Sequence, residues 1–500
     1  MGSTAAAPVI GLTQPNAVEL PQVTFAAKDI EFSDWNGDVL AVVVTEKDVT
    51  KDSNSKFENA VLKKLDGQLG GLLSAAAAEE DFCGRAGQSV VLRLQGQGFK
   101  RVALIGLAGH NAVSFQGLGE SVSSIAKAAQ ASSAAIVLAS PSVIQEEFKL
   151  NAAAAIASGT VLGLYEDCRY KTEWKKVHLK QAHLFGLGSG PEMDQKLEYA
   201  NHRSSGVVFG RDLVNSPANV LTPAVLAEEA SKIASTYSDV LTAKILDAEK
   251  CKELKMGAYL AVAAASANPP RFIHLCYKPI GGNVKRKLAV IGKGLTFDSG
   301  GYNIKTGPIA RIELMKWDMA GSAAVFGAAK ALGQIKPPGV EVHFIAAACE
   351  NMISGTGMRP GDIVTASNGK TIEIIDLATL TGACRVALGP SVAGILTPSD
   401  ELAQEFVASS EVSGEKLWRL PIEDSYWESM NSGVADMLNT GPMYPKGGVI
   451  TAALFLKQFV DEKVQWMHID IAGPVWCHNK RSATGFGVAT LVEWVLKNSS

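Results

Sequence analysis

The segment Val290–Lys305 reads VIGKGLTFDSGGYNIK, and the tripeptide Lys316-Trp317-Asp318 follows closely. Its first half has the apolar pattern of a buried strand, and its second half is a glycine-rich turn that contains Asp298. In open α/β sheets, ligands bind at the carboxyl ends of strands, which is where this turn is predicted to lie. Two lysines and two carboxylates are therefore gathered within about one strand and its loop, an arrangement suited to a divalent cation: Lys293, Asp298, Lys305 and Asp318.

Each of these residues also has an ordinary structural interpretation. An aspartate in a glycine-rich turn commonly closes an Asx-turn, and Asp318 could simply cap the helix that follows it. A lysine is commonly a solvated surface charge, and its amine binds a metal only when the surroundings favour the neutral form. From spacing alone, the metal-site and structural interpretations both remain open.

Three other types of site are disfavoured. Asp298-Ser299-Gly300-Gly301 resembles part of the serine-protease sequence Gly-Asp-Ser-Gly-Gly, but Phe297 replaces the first glycine and no upstream histidine motif accompanies it. The eight histidines lack the HExxH spacing of zinc proteases. The glycines of 186–190 have the wrong spacing for a dinucleotide-binding GxGxxG turn.

Composition sets the broad class. The chain has 500 residues, 47% of them hydrophobic and 19% charged, which predicts a soluble globular protein of two or more domains. A formal net charge of −3 gives no electrostatic reason to expect nucleic acid or an anionic membrane as a partner. Seven scattered cysteines without CxxC spacing predict buried thiols in a reducing compartment. No apolar run approaches the length of a transmembrane span.

Strand and helix patterns alternate along the whole chain, which predicts an α/β fold with parallel strands. We expect a smaller N-terminal parallel-sheet domain over residues 1–205, of which residues 1–20 are a loose tail or a first strand. A long helix over Glu192–Val214 precedes the breaker Asn215-Ser216-Pro217 and marks the boundary. Residues 206–500 then form a second domain with a mixed sheet covered by helices, which the family resemblance given below implies to be the catalytic domain.

The chain closely resembles the M17 family of leucyl aminopeptidases, particularly the plant enzymes. The segments that carry the resemblance cover nearly all of the C-terminal half: VNSPANVLTP (214–223), VIGKGLTFDSGGYNIK (290–305), IELMKWDMAGSAAV (312–325), ENMISGTGMRPGDIV (350–364), DLATLTGA (376–383), SGEKLWRLP (413–421) and WMHIDIAGPVW (466–476).

This resemblance implies a two-metal aminopeptidase that removes the N-terminal residue of peptides by means of a metal-activated water, usually as a homohexamer. The ions expected are two divalent ones, Mn²⁺ or Zn²⁺. By motif, the metal ligands would be Lys293, Asp298 and Asp318, and the catalytic lysine would be Lys305. The residues that would border the substrate are Met315, Thr379, Leu380 and Gly382.

One block of the family pattern is absent. The signature Asn-Thr-Asp-Ala-Glu-Gly-Arg should follow Gly369-Lys370-Thr371-Ile372-Glu373, but Glu373 runs directly into Ile374. In the family this block carries two metal carboxylates, a catalytic arginine and the helix that links two strands. Glu373 and Asp376 are the nearby carboxylates that could compensate. Because parallel strands need a long crossover, we also expect the strand at Ile374–Leu380 to shift, to pair differently or to leave the sheet.

The sequence therefore predicts a leucyl aminopeptidase-like metallopeptidase that acts on peptides and is impaired by the loss of these groups. The alternative is a catalytically inactive family member that serves as a binding or oligomer-forming subunit. The expected location is the cytoplasm, or the plastid if a targeting segment precedes the chain. Neither nucleic acid nor membrane is expected as a partner.

Overall fold

The computed structural model of the chain describes residues 15–16, 20–28, 31–53, 56–306, 311–367, 374–440 and 447–499. The fold divides into two compact units, one of residues 16–204 and one dominated by residues 205–500. Among the helices within the described ranges, none is both long enough and apolar enough to cross a membrane.

The N-terminal unit is a six-stranded sheet with helices. Its strands are β1 Thr24–Lys28, β2 Gly37–Val44, β3 Ser89–Arg93, β4 Phe99–Gly106, β5 Ser133–Leu138 and β6 Gln181–Phe185. Its helices are α1 Ala60–Gln68, α2 Leu72–Glu79, α3 Ala112–Ala129 and α4 Glu146–Leu164, and α5 Pro191–Asn215 crosses the boundary between the units. The strand order is β1-β6-β5-β2-β4-β3, and only the edge pair of β3 and β4 is antiparallel.

Apolar runs of the sequence form the central strands of this sheet. Residues 39–44 of β2 are all buried, as expected of a parallel strand covered on both faces. Helices α1 and α2 are separated at Gly70 and Gly71, whose φ angles of 64° and 87° end the first helix. The parallel-sheet prediction for this half is confirmed, with the antiparallel edge strand β3 as an addition that the sequence pattern did not indicate.

The C-terminal unit contains an eight-stranded mixed sheet. Its strands are β7 Leu241–Leu246, β8 Arg271–Tyr277, β9 Val284–Asp298, β10 Gly339–Asn351, β11 Ile374–Ala378, β12 Val392–Leu396, β13 Lys416–Arg419 and β14 Trp466–Asp470, followed by the small hairpin β15 Trp476–Cys477 and β16 Ser482–Ala483. Its helices are α6 Pro223–Thr236, α7 Ala248–Glu253, α8 Gly257–Ala263, α9 Ala320–Ile335, α10 Gly382–Leu388, α11 Asp400–Ser413, α12 Gly448–Lys457 and α13 Val488–Lys497.

The order of the large sheet is β13-β12-β14-β11-β9-β10-β8-β7. Its middle strands β14, β11, β9 and β10 are parallel, whereas β8 and β7 continue it in antiparallel fashion. The carboxyl ends of β9, β10 and β11 therefore meet at one edge. The mixed sheet predicted for this domain is confirmed, and this edge is where the segment at 290–305 turns out of the sheet.

Two glycines allow α9 to lie directly against this sheet. A Cβ on Gly292 of β9 would lie 2.5 Å from the carbonyl of Gly321 in the first turn of α9. A Cβ on Gly321 would lie only 2.0 Å from the carbonyl oxygen of Leu377 and 2.7 Å from the backbone nitrogen of Lys293. The close approach brings Asp318, just before α9, next to Lys293.

The strand that follows the missing block remains in the sheet. Residues 374–378 form β11, which pairs in parallel with β14 on one side and with β9 on the other. Leu377 and Ala378 are buried in this position. The expectation that the strand could leave the sheet is therefore wrong. The preceding half of the junction, including Gly369 and Glu373, lies outside the described residues.

Candidate functional site

The site begins with Lys293, which lies within β9, and Asp318, which follows a short 3-10 helix at Ile312–Trp317. The Lys293 Nζ lies 2.9 Å from Asp318 Oδ1 and donates a hydrogen bond of 3.1 Å to the carbonyl oxygen of Thr379. The Thr379 hydroxyl donates to the same oxygen of Asp318. Two separate segments, those of Lys293 and Thr379, therefore converge on the Asp318 carboxylate at the edge of the sheet.

Asp298, the last residue of β9, supplies the second carboxylate. Its Oδ1 accepts hydrogen bonds from the Gly300 N–H at 2.9 Å and from Asn351 Nδ2 at 2.8 Å. Its Oδ2 lies 3.0 Å from Lys305 Nζ. The Asx-turn that was the structural alternative for Asp298 is thus present, but it uses one oxygen and leaves the other directed at a lysine.

The carboxylates of Asp298 and Asp318 are close enough for each to influence the pKa of the other. Burial raises the pKa of Asp318, and the neighbouring charge of Asp298 adds to that increase although Lys293 opposes it. Burial also acts to raise the pKa of Asp298, but Lys305 and the hydrogen bonds from its neighbours hold it below the usual value. Two like charges forced together in a buried place favour either a shared proton or a cation.

One oxygen of this pair has no donor. Asp318 Oδ2 is buried and receives no hydrogen bond from any described residue, while the Asp318 side chain as a whole is only 4% exposed. Buried polar atoms are nearly always satisfied, so an orphan oxygen within a cluster of charges requires an explanation. A divalent cation held by Asp318, Asp298 and Lys293 would supply the missing partner. The donor set therefore fits a cation.

The remaining predicted residues flank this centre. Lys305 is 31% exposed and reaches Asp298 from the loop after β9. Met315 is half-buried in the 3-10 helix that leads to Asp318. Leu380 follows Thr379, and Gly382 begins α10 with open space where a Cβ would lie. Direct contacts thus join Lys293, Asp318 and Thr379 in one group and Asp298 and Lys305 in another, whereas the other three lie within three residues of Asp318 or Thr379 along the chain.

Asp376 does not serve as a replacement metal ligand. Its Oδ1 lies 2.5 Å from His468 Nδ1, and its Oδ2 accepts a 3.0 Å hydrogen bond from Trp466 Nε1. Burial lowers the pKa of His468, but the charge of Asp376 and this hydrogen bond raise it above the usual value overall. Both oxygens of Asp376 are therefore committed to β14. Glu373, the other candidate, lies outside the described residues.

Sequence reasoning missed two supporting residues. Asn351, at the end of β10, orients Asp298 through the hydrogen bond described above. Asp470, at the end of β14, is fully buried and accepts hydrogen bonds from the Thr381 N–H at 3.1 Å and the Thr381 hydroxyl at 2.6 Å, which fixes the start of α10. Each lies at the carboxyl end of a strand, and that position was the available signal.

Comparison with known proteins identifies the family of the chain. A model of the cytosol aminopeptidase family, catalytic domain, matches residues 208–376 and 373–492, and a model of the family's N-terminal domain matches residues 41–173. The chain belongs to the cytosol aminopeptidase family. Its members are metallopeptidases, which implies divalent metals.

Individual relatives of this aminopeptidase chain are very similar over nearly its full length. Leucine aminopeptidase 2, chloroplastic, of Oryza sativa subsp. japonica is 76% identical over 535 residues, covering 100% of this chain and 89% of the relative. Leucine aminopeptidase 2, chloroplastic, of Arabidopsis thaliana is 65% identical and covers 100% of this chain and 90% of the relative. A solved structure of a tomato leucine aminopeptidase mutant has a TM-score of 0.92 at 57% identity, covering 98% of this chain and 99% of that chain.

Proposed function

We propose that this chain is a metal-dependent aminopeptidase by descent whose own site holds one divalent cation rather than two. Its reaction would be hydrolysis of the N-terminal residue of a peptide, at a rate far below that of intact relatives. The observation that carries this proposal is the cluster of Lys293, Asp298 and Asp318 around an orphan carboxylate oxygen. Within the described ranges, no further carboxylate, histidine or cysteine joins Asp298 and Asp318 at a spacing suited to a shared ion.

Each residue of the candidate site would have its own role in the proposed reaction. Asp298 and Asp318 would hold the cation, and Lys293 would join them after giving its proton to solvent. The cation would supply an activated water and polarise the scissile carbonyl. Lys305, which pairs with Asp298 at 3.0 Å, would place a positive charge where negative charge develops on the carbonyl oxygen. Thr379, through its bond to Asp318, would keep that carboxylate in orientation.

Two features of the comparisons support the absence of a block at Glu373–Ile374. The catalytic-domain match is divided into two segments that meet at residues 373–376. The alignment with the rice relative extends over 535 residues, although this chain has 500, so the relative carries residues that this chain lacks. Loss of two metal carboxylates and an arginine would remove several kcal/mol of transition-state stabilisation. At about 1.4 kcal/mol per tenfold change, a loss of about 4 kcal/mol is a thousandfold decrease in rate.

The decisive experiment inserts the segment of the rice relative that this chain lacks between Glu373 and Ile374. We expect the original chain to hydrolyse a leucyl amide in Mn²⁺ or Zn²⁺ at least about 10³-fold more slowly than the chimera. A matched control chimera carries the same segment with its acidic residues changed to their amides, which preserves length and backbone. Robust turnover by the original chain, or by the control chimera, would refute the proposal.

A second candidate function is a non-catalytic subunit, and the intact sheet favours it. β11 retains both neighbours although the ligand set around it is incomplete, so the fold persists without the complete site. Exposed apolar side chains such as Trp418 and Val434, at 63% and 84% exposure, are available for contacts between subunits. A homohexamer is the assembly proposed for either function. Light scattering of the purified chain, alone and mixed with the rice relative, measures whether it assembles and whether it lowers the partner's turnover.

The location proposed is the plastid in preference to the cytoplasm. Relatives from rice, Arabidopsis thaliana and tomato are named chloroplastic, which supports the plastid alternative. Cell fractionation with an antibody against the chain tests this proposal, and recovery only in the soluble cytoplasmic fraction would refute it.

A further inference from the structure

A second cluster of potential metal ligands lies on the large sheet, away from the candidate aminopeptidase centre. Cys276 of β8 and His343 of β10 are directly opposite one another in an antiparallel pair. Glu341 lies two residues before His343, so its side chain projects from the same face of the sheet. One ligand atom from each of these three residues lies within 4.8 Å of the others. A thiol, an imidazole and a carboxylate are thus brought together by two adjacent strands.

This cluster is separate from the site at Lys293. His343 is paired with Ala289 on β9, and Lys293 lies four residues further along that strand. At about 3.3 Å per residue, the separation along the strand is about 13 Å. The three groups cannot therefore serve as extra ligands of a cation bound at Asp298 and Asp318.

A fourth side chain holds the imidazole in place. His274 Nε2 lies 2.8 Å from His343 Nδ1, and His343 Nε2 lies 3.0 Å from a Glu341 oxygen. In the hydrogen bond between His274 Nε2 and His343 Nδ1, either nitrogen can be the donor. With the proton of His343 on Nε2, this atom donates to Glu341. With that proton on Nδ1, which donates to His274, Nε2 presents a lone pair to a cation. A ligand histidine characteristically has its second nitrogen fixed by such a partner.

We propose that Cys276, Glu341 and His343 bind one zinc-class divalent cation, with water as the fourth ligand and His274 as the group that orients His343. Cysteine sulfur, histidine nitrogen and carboxylate oxygen are the three ligand types that Zn²⁺ uses in tetrahedral sites. On binding, the thiol of Cys276 gives its proton to solvent, and the proton of His343 is carried on Nδ1. One thiolate and one carboxylate then balance the charge of the cation.

The surroundings determine how tightly a cation would bind. The side chains of His343 and Glu341 are 15% and 9% exposed, so the cluster is largely shielded from solvent without being sealed from it. Lys287 and Lys278 lie 3.4 Å and 3.8 Å from Glu341 and offset its charge. These ammonium groups compete with a cation for the same carboxylate. Removing the nearer one should therefore strengthen binding, which would not be expected if the cluster were only a hydrogen-bonded network.

The test uses Co²⁺ as a probe in the full chain after treatment with a chelator. We expect near-ultraviolet absorption from a cobalt–thiolate bond, the intense visible bands of a tetrahedral ion, and loss of the thiolate band on titration with Zn²⁺. The ligands Lys293, Asp298 and Asp318 include no thiol, so cobalt bound there would not give the thiolate band. Cys276→Ser should abolish this band. Cys83→Ser, a change at another partly exposed cysteine, should leave it intact.

Two variants that retain Cys276 keep the proposal open to refutation if a cysteine variant fails to fold. His274→Asn should weaken Zn²⁺ binding about 10-fold or more, as loss of an orienting partner does. Lys287→Gln should tighten it. The proposal is overturned if Co²⁺ gives no thiolate band in the unmodified chain, if the band persists in Cys276→Ser, or if Lys287→Gln leaves Zn²⁺ affinity unchanged.

Discussion

Replacing Gly321 by alanine should separate α9 from the sheet and disturb the metal centre together with the fold. The added Cβ would lie 2.0 Å from the Leu377 carbonyl oxygen and 2.7 Å from the Lys293 nitrogen. Both obstacles are backbone atoms of buried strands, so neither can rotate away. An overpacked core typically costs 1–3 kcal/mol, occasionally more, and a clash with backbone belongs at the upper end of about 3 kcal/mol or above.

The same substitution also brings a small gain. Alanine is favoured over glycine inside a helix by about 1 kcal/mol, which leaves a net destabilisation of about 2 kcal/mol or more. Because Asp318 lies three residues before Gly321, a displaced helix should also lengthen the 2.9 Å contact between Asp318 and Lys293 and weaken cation binding. Stability and metal affinity are therefore expected to fall together.

Urea unfolding followed by tryptophan fluorescence measures the effect, because six of the eight tryptophans belong to residues 205–500. Calorimetric titration with Mn²⁺ provides the second readout. The matched control is Gly117→Ala in α3, where a Cβ would meet nothing within 4 Å, so the same change should be neutral or stabilising by up to about 1 kcal/mol. If Gly321→Ala unfolded within 0.5 kcal/mol of the unmodified chain, the packing argument would be wrong.

Three further predictions concern individual side chains. Asp318→Asn should lower Mn²⁺ affinity at least about 100-fold and remove the thermal stabilisation that the ion gives, as measured by titration and melting; an unchanged Mn²⁺-dependent shift would contradict the assignment. Lys305→Met, made in the chimera that carries the restored segment, should reduce kcat about 10²–10³-fold with unchanged metal content, and a normal kcat would exclude its role at the oxyanion. Asp38→Asn tests the N-terminal unit: burial acts to raise the pKa of Asp38, but Lys100 at 2.6 Å and hydrogen bonds from Ser132 and Ser133 hold it well below its usual value. The stability that ionised Asp38 contributes is therefore present above about pH 4 and is lost as pH falls through its lower folded-state pKa. Relative to the unmodified chain, the free energy of unfolding of the variant should be lower by about 2 kcal/mol at pH 7 and by progressively less in acid. A difference in urea unfolding that does not change with pH would contradict this sign.

The pattern of apolar residues in the sequence predicted much of the fold because the central strands of the protein are buried on both faces. Apolar runs such as residues 39–44 are typical of strands inside a covered parallel sheet. The position of the candidate site was predictable because Asp298 ends a strand at the carboxyl edge of the sheet, but the pattern alone left the metal-site and Asx-turn interpretations open, and the residue roles came from the family resemblance. The pairing of β3 at the edge was not predictable, because edge strands are determined by tertiary contacts rather than by periodicity.

The contacts of Asp376 show a second limit of prediction from the sequence. Its position beside the missing block suggested a replacement ligand, whereas the register of β11 against β14 places it directly opposite His468. That register depends on long-range pairing between segments about 90 residues apart, which a local pattern does not contain. Asn351 likewise reaches Asp298 only because β9 and β10 run side by side. The chemistry of these residues could be read from the sequence, but their contacts across strands could not.

The most direct test of the central claim counts Mn²⁺ in the Cys276→Ser variant, in which the proposed thiolate site cannot contribute. Electron paramagnetic resonance and elemental analysis give the number of ions per chain and whether two are coupled, and a leucyl amide assay on the same sample gives the turnover. We predict one uncoupled ion per chain and a rate at least about 10³-fold below that of the rice relative. Two coupled ions with turnover comparable to the relative would contradict the account.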